Sequence, residues 1–282
     1  MRRYFRPRTL EDALAIRAGE DVAVLAGGTD IYPARTGRAA WGDPSGKDML
    51  DLSGIDALRG IMDRPDHWRL NALTTWSELI RTNLPPQFDG YRAAAREVGG
   101  AQVQNRGTLA GNICTASPAG DGIPCLMALD ASVEVASPGG RQVLPIGDFI
   151  AGYRCTSLQS NEIVTALLVP KTNARGGFAK LGARRYLVIS IAMTAVSVTL
   201  DSKGRITSAA IAVGACGPKA SRLPALEHAL IGKSVAKAKV TPEDLAGLAP
   251  IDDIRGSGSY RLAAARQITE DCLRSLAPEK RT

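Results

Sequence analysis

The sequence predicts an α+β protein, and three observations carry that reading. Short capped helices are interspersed with short strands up to Pro170, a valine-rich hairpin lies among them, and two long strands followed by helical segments complete the chain. Thr9 opens a helix to Ala18: Asp12 stands at capping-box spacing, and Leu10, Ala13, Leu14 and Ile16 supply the apolar stripe. Val22 to Ala26 reads as a buried strand that leaves through a glycine pair. MLDLSGI and WRLNALTT are further strands, and Thr75 with Glu78 caps the helix TWSELIRT. Tyr91 to Val98 is helical and stops at Gly99 and Gly100. In ASVEVASPGGRQVLPIGDFI two valine-bearing stretches flank the turn SPGG, and EIVTALLVP forms a strand ended by Pro170. The texture changes after KTNARGG, so a domain boundary falls near residues 171 to 176. Beyond it, SIAMTAVSVTL and RITSAAIAVGACG are long strands joined by DSKG. The last helix, about Ser259 to Leu276, aligns Leu262, Ala265, Ile268, Cys272, Leu273 and Leu276 on one face.

Composition narrows the function classes. With 282 residues, 45% hydrophobic and 22% charged, the chain is a folded globular protein rather than a disordered one. A net charge of +7 suits an anionic cofactor, an acidic partner or nucleic acid, but no clustering selects among them. The arginine-rich start, MRRYFRPR, resembles a twin-arginine export signal, yet TLEDALAIRAGED follows where a long apolar stretch belongs, so no export signal is read. No apolar run reaches the roughly 18 residues of a membrane span. Cys114, Cys125, Cys155, Cys216 and Cys272 are scattered without a CxxC pair, which points to reduced thiols in a cytoplasmic setting and to no metal or cluster site in this chain. His67 and His228 lie in unrelated contexts and read as structural or solvated.

Two segments carry the chemistry. AGGTD, Ala26 to Asp30, and TLAGNICTASPAGD, Thr108 to Asp121, crowd small residues and hydroxyls together. A bound pyrophosphate needs several N–H donors converging on its oxygens, and bulky side chains would hold the backbone away. Neither segment is a phosphate loop of the GxxxxGK[ST] pattern and neither matches GxGxxG. Taken singly, each is an ordinary tight turn.

The pair, in this order, resembles the FAD-binding subunit or middle domain of the molybdenum hydroxylases, which include xanthine dehydrogenase and the aerobic carbon monoxide dehydrogenases. The resemblance spans nearly the whole chain through AGGTD, NRGTLAGNICTASPAGD, FIAGYRCTSLQSNEIVTALLVP and FAKLGARRYLVISIAMTAV. It implies a two-lobed FAD-binding fold of the vanillyl-alcohol oxidase type over residues 1–172, with lobes of about 1–55 and 56–172. A C-terminal domain of antiparallel sheet and helices, residues 173–282, follows.

By the same resemblance the FAD pyrophosphate lies against Ala26, Gly27, Gly28 and Thr29 at the end of the strand that carries Val24. Asp30 stands near the turn, either as a turn or capping carboxylate or in contact with FAD. Thr108, Gly111, Asn112 and Thr115 complete the cradle. Asp121 points toward the ribose or adenine side, Val164 packs near the flavin ring, and Lys180 lies beside the isoalloxazine edge, where a cation would stabilise negative charge on reduced flavin. Gly152, Tyr153 and Arg154 are expected to pack the lobes. Relatives often carry an acidic residue and a DIA-like sequence after the arginine pair; here Tyr186 to Ala192 reads YLVISIA, and Val188 brings no charge. The cysteine-rich insertion of hydroxybenzoyl-coenzyme A reductases is absent between Asp121 and Asp130.

The resemblance further implies partners: a large subunit with molybdopterin and a small subunit with two [2Fe-2S] clusters, whose electrons reach FAD here and pass to NAD or another acceptor. Two rival readings stand beside it. One is a self-contained flavoenzyme on the same fold, similar to the NADPH-dependent reductase of cell-wall precursors, with Ser157 or Tyr153 as proton donor. The other is a basic binding protein without a catalytic cofactor, for which RRYFRPR is the one candidate nucleic-acid contact and an N-terminal strand the plainer reading.

Overall fold

In the computed structural model, which describes residues 3–35 and 47–278, three larger sheets follow one another along the chain, with a separate two-stranded pair inserted in the second's sequence. Met1 and Arg2 of the arginine-rich start, and residues 279–282, lie outside the described residues. The first sheet is parallel. Strands β1 (Tyr4–Phe5), β2 (Val22–Leu25) and β3 (Asp48–Asp51) run in the order β1-β3-β2, with helix α1 (Leu10–Gly19) connecting β1 to β2 and the short α2 (Ile31–Arg35) following β2. Thr9 caps α1 by accepting from the Asp12 amide at 3.1 Å. Asp12 is too short to close the box on the Thr9 amide and takes the Thr9 hydroxyl instead.

The second sheet is antiparallel. Strands β4 (Ile61–Asp63) and β5 (His67–Asn71) are followed by five helices, α3 (Trp76–Arg81), α4 (Asp89–Glu97), α5 (Ala101–Arg106), α6 (Leu109–Thr115) and α7 (Gly122–Ala128). The hairpin β6 (Ser132–Ser137) and β7 (Gly140–Pro145) comes next, then α8 (Ile146–Phe149), the small pair β8 (Ile150–Gly152) and β9 (Cys155–Thr156), and β10 (Ile163–Pro170). Their order is β4-β5-β10-β6-β7. Thr75 and Glu78 form a complete capping box at α3, because glutamate reaches the Thr75 amide at 2.6 Å. Where the segment Thr108 to Asp121 by itself reads as a tight turn, its first half is the helix α6.

Strands β11 (Arg175–Leu181), β12 (Ala192–Leu200), β13 (Ile206–Gly214) and β14 (Ser221–Arg222) form the third sheet, antiparallel in chain order, with α9 (Pro224–Leu230) and α10 (Gly258–Ser275) after it. Helices α4 and α7 pack against this sheet, and α10 covers β11 and β12. On α10, Ala265, Cys272 and Leu273 are buried as the apolar stripe requires, but so are Arg261 and Thr269. Arg261 is tolerated there because its Nη1 donates to the carbonyls of Ile191 at 2.6 Å and Ala215 at 3.2 Å, while Nη2 pairs with Asp253 at 2.6 Å.

Candidate functional site

The chain leaves β2 at Leu25 and turns through Ala26 to Asp30 directly against the end of α5. A Cβ on Gly27 would stand 1.9 Å from the Arg106 carbonyl oxygen, so only glycine lets the two backbones approach. Gly28 holds a φ of +77°, the left-handed conformation that side chains with a Cβ resist. Eighty-five positions further along, the Thr115 hydroxyl donates to Asp30 at 2.5 Å. The two small-residue segments, remote in sequence, are thus brought together by the Thr115–Asp30 hydrogen bond and by the close approach of Gly27 to Arg106 and Gly107, just before the second segment. Asp30 spends a carboxylate oxygen on that bond.

Between the segments lies a cavity of about 390 Å³, within the ~300–1,000 Å³ range of small-molecule and cofactor sites. Val24, Ala26, Gly27, Gly28, Thr29 and Asp30 line one side, and Thr108, Gly111, Asn112 and Thr115 the other. Those last four are spaced i, i+3, i+4, i+7, which puts them on one face of α6 and its cap, while Leu109, Ala110 and Ile113 turn into the core. Thr108 caps the helix by accepting from the Gly111 amide at 3.0 Å. Sequence reasoning missed Ile31, Trp76, Val98, Val103, Gly107 and Cys114, which complete the lining. The flanking signal was there: Val98 and Val103 bracket the glycine pair, and Gly107 precedes the capping threonine.

The remaining three predicted residues stand elsewhere. Val164 is buried in β10, paired with Val135 of β6, and does not line the cavity. Asp121 and Lys180, both buried, form an ion pair at 2.7 Å, and the Ser190 hydroxyl donates to the other Asp121 oxygen at 2.6 Å. Burial pushes the Asp121 carboxyl above its ordinary range, against the opposing pull of Lys180 and Ser190. Tyr153, expected among packing residues, is 67% exposed. It lines a second cavity of about 480 Å³ together with Ser117, Arg154, Ser190, Arg255 and Arg261.

The first cavity has the chemistry a flavin dinucleotide asks for. Gly27 and Gly28 line it without side chains, and the missing Cβ at Gly27 is what lets the β2 exit lie against Arg106 and Gly107. Thr29 and Thr108 offer hydroxyls, and the bulk-free backbone presents amides to an anion. Asn112 lines the cavity, while its Oδ1 is buried without a hydrogen-bond partner on the side of Gly122. Trp76, Val98 and Val103 give an apolar wall for a flat ring.

Comparison with known proteins agrees with this chemistry. Residues 1–172 match the family described as the FAD binding domain in molybdopterin dehydrogenase, and residues 178–276 match the CO dehydrogenase flavoprotein C-terminal domain. The nicotine 6-hydroxylase medium subunit of Paenarthrobacter nicotinovorans is 31% identical over 272 residues, covering 94% of this chain and 94% of that protein. The nicotinate dehydrogenase FAD-subunit of Eubacterium barkeri is 30% identical, covering 88% of this chain and 84% of that protein. A solved carbon monoxide dehydrogenase from Hydrogenophaga pseudoflava, lacking the Mo-pyranopterin moiety of its cofactor, superposes with a TM-score of 0.86 at 28% identity, covering 96% of each chain. With a family match over more than half its length and relatives of 30% identity or more covering most of it, this chain belongs to the FAD-binding medium subunits of the molybdenum hydroxylases, an oxidoreductase component.

Proposed function

We propose that the chain is the electron-transfer flavoprotein of a three-component dehydrogenase. Residues 1–172 act as the cofactor-binding unit and residues 173–282 as the C-terminal domain. A large molybdopterin subunit oxidises the organic substrate, a small subunit carries the electrons over [2Fe-2S] clusters, and this chain delivers them to NAD or another acceptor. Bound FAD supplies the ability to take electrons singly and release them as a pair. The observation that carries the reading is the convergence of Ala26–Asp30 and Thr108–Thr115 on one cavity, locked by the Thr115–Asp30 hydrogen bond.

The chain's own contribution is binding and orientation. The amides of Gly27, Gly28 and Thr29 and the hydroxyl of Thr108 would hold the diphosphate, and Asn112 a sugar hydroxyl. Trp76, Val98 and Val103 would keep water from one side of the ring. The second cavity, lined by Tyr153, Arg154 and by Arg255 in its ion pair with Asp253, is where an acceptor carrying phosphate and a planar base would be received. The test is reconstitution. FAD-loaded chain mixed with substrate under nitrogen should keep its visible flavin band, which should bleach only when the molybdopterin and iron-sulfur partners are added and return on addition of NAD⁺. Full-rate substrate oxidation by the FAD-loaded chain alone would sink the subunit reading.

A further inference from the structure

Two buried polar atoms without a hydrogen-bond partner among the described residues stand against the same glycine. One is the hydroxyl of Tyr91 on α4, a residue only 1% exposed, and the other is Oδ1 of Asn112 on α6. A Cβ on Gly122, the first residue of α7, would stand 2.7 Å from Asn112 Oδ1, 3.3 Å from Tyr91 Cε2 and 2.6 Å from Trp76 Cη2. The amide oxygen and the edge of the phenol ring therefore lie within about 6 Å of each other, a span that one water closes with two bonds of about 2.8 Å. The two ends are complementary. Burial pushes the Tyr91 phenol well above its ordinary range, so it stays an O–H donor, and Oδ1 is an acceptor. Leaving both unbonded in the interior costs more than holding one water still. Both also bear on the first cavity: Asn112 lines it, and Trp76, another wall, packs edge to face with Tyr91 at 5.8 Å between ring centroids.

We propose that one buried water bridges the Tyr91 hydroxyl to Asn112 Oδ1, and that through it Tyr91 is a positioning residue for the cofactor. The bridge holds the amide oxygen toward α7 and leaves the amide nitrogen as the end that meets the dinucleotide. The positioning role rests on the FAD reading; the water does not. An asparagine amide has nearly the same shape either way round, so its hydrogen-bond neighbours decide which end a ligand finds. A donor behind it selects the oxygen there. Without the Tyr91 hydroxyl both orientations are populated, and a cofactor oxygen finds the N–H₂ group only part of the time, which weakens binding.

The experiment uses the full chain and has two readings. Crystals grown without FAD should show one water at about 2.6–3.2 Å from both the Tyr91 oxygen and Asn112 Oδ1, and Tyr91→Phe should lose it. A dry contact, or a water touching only one of the two, would overturn the proposal. The second reading is the FAD dissociation constant by flavin fluorescence. Tyr91→Phe keeps the ring and its packing on Trp76, so it isolates the hydroxyl; it should raise the Kd about three- to tenfold, the worth of one neutral hydrogen bond. In an Asn112→Ala background the same change should move the Kd by less than about twofold, because the amide it positions is gone. A hydroxyl that merely stabilises the fold would leave the Kd alone or cost the same in both backgrounds, and either result overturns the positioning role. Should Tyr91→Phe fail to fold by circular dichroism, the density in the unmodified chain, and its disappearance in Asn112→Ala, carry the test. If the unmodified chain takes up no FAD, the cofactor reading itself has failed, and the density still decides the bridge.

Discussion

Replacing Gly27 by alanine places one methyl group where the structure has no room. The new Cβ would stand 1.9 Å from the Arg106 carbonyl oxygen, a backbone atom that no rotamer change can move. Ordinary contact begins at 3.4 Å, so the β2 exit and the end of α5 must part by about 1.5 Å. Overpacking of this kind costs about 1–3 kcal/mol of stability. The same displacement would move the Gly27–Thr29 amides away from the position proposed for the FAD diphosphate. A bond to a charged group contributes about 1.5–3 kcal/mol, so losing one weakens FAD binding by about ten- to a hundredfold. Fluorescence titration of the purified chain with FAD, alongside a urea melt, measures both. Gly19→Ala is the control: nothing lies within 4 Å of its Cβ, and the change should leave FAD binding alone while stabilising the chain by about 0.4–1 kcal/mol. A Gly27→Ala chain that binds FAD as tightly as the unmodified one would refute the reasoning.

Two further outcomes concern stability. Glu134 is held at a pKa of about 2, chiefly by its bonds with Arg69 and also by the Thr165 hydroxyl and Arg141, whereas its ordinary value is 4.5. A carboxyl depressed on folding stabilises fully above the ordinary value and loses that contribution as pH falls toward 2, so the melting-temperature gap between the unmodified chain and Glu134→Gln should be largest near neutrality and close below about pH 4; a gap constant from pH 7 to pH 3 would contradict the assignment. Arg261→Met should destabilise by about 1–3 kcal/mol in a urea melt, because the carbonyls of Ile191 and Ala215 lose a donor while Asp253 keeps only Arg255; a change under about 0.5 kcal/mol would show the guanidinium to be dispensable.

The parts of the site legible in the sequence are those with a local cause. Glycine after a strand is needed where backbones touch, and Gly27 and Gly28 announce this without knowledge of what they touch. The capping box at Thr75 and the hairpin β12–β13 follow from neighbours in the chain. Helix α6 was harder, because glycine, asparagine and threonine are weak helix formers, and the segment is helical by virtue of Leu109, Ala110 and Ile113 docking into the core. The spacing of Thr108, Gly111, Asn112 and Thr115 encoded that face, but small polar residues do not register as an amphipathic stripe. Non-local pairs left no trace at all. Nothing near Asp121 foretells a lysine 59 positions away, and Arg261 sits in a helix whose neighbours suggest leucine.

The doorway between β2 and α6 has a consequence for assembly in time. One jamb is the exit of β2 from the first sheet and the other a helix that lies in the chain between strands of the second, so neither half of the N-terminal region can grip the dinucleotide by itself. The prosthetic group cannot template either half; it can only arrive after both have been built and met. Its contribution then enters by mass action, raising the melting temperature in proportion to the logarithm of free FAD, while the rate at which the naked polypeptide collapses stays blind to how much FAD surrounds it.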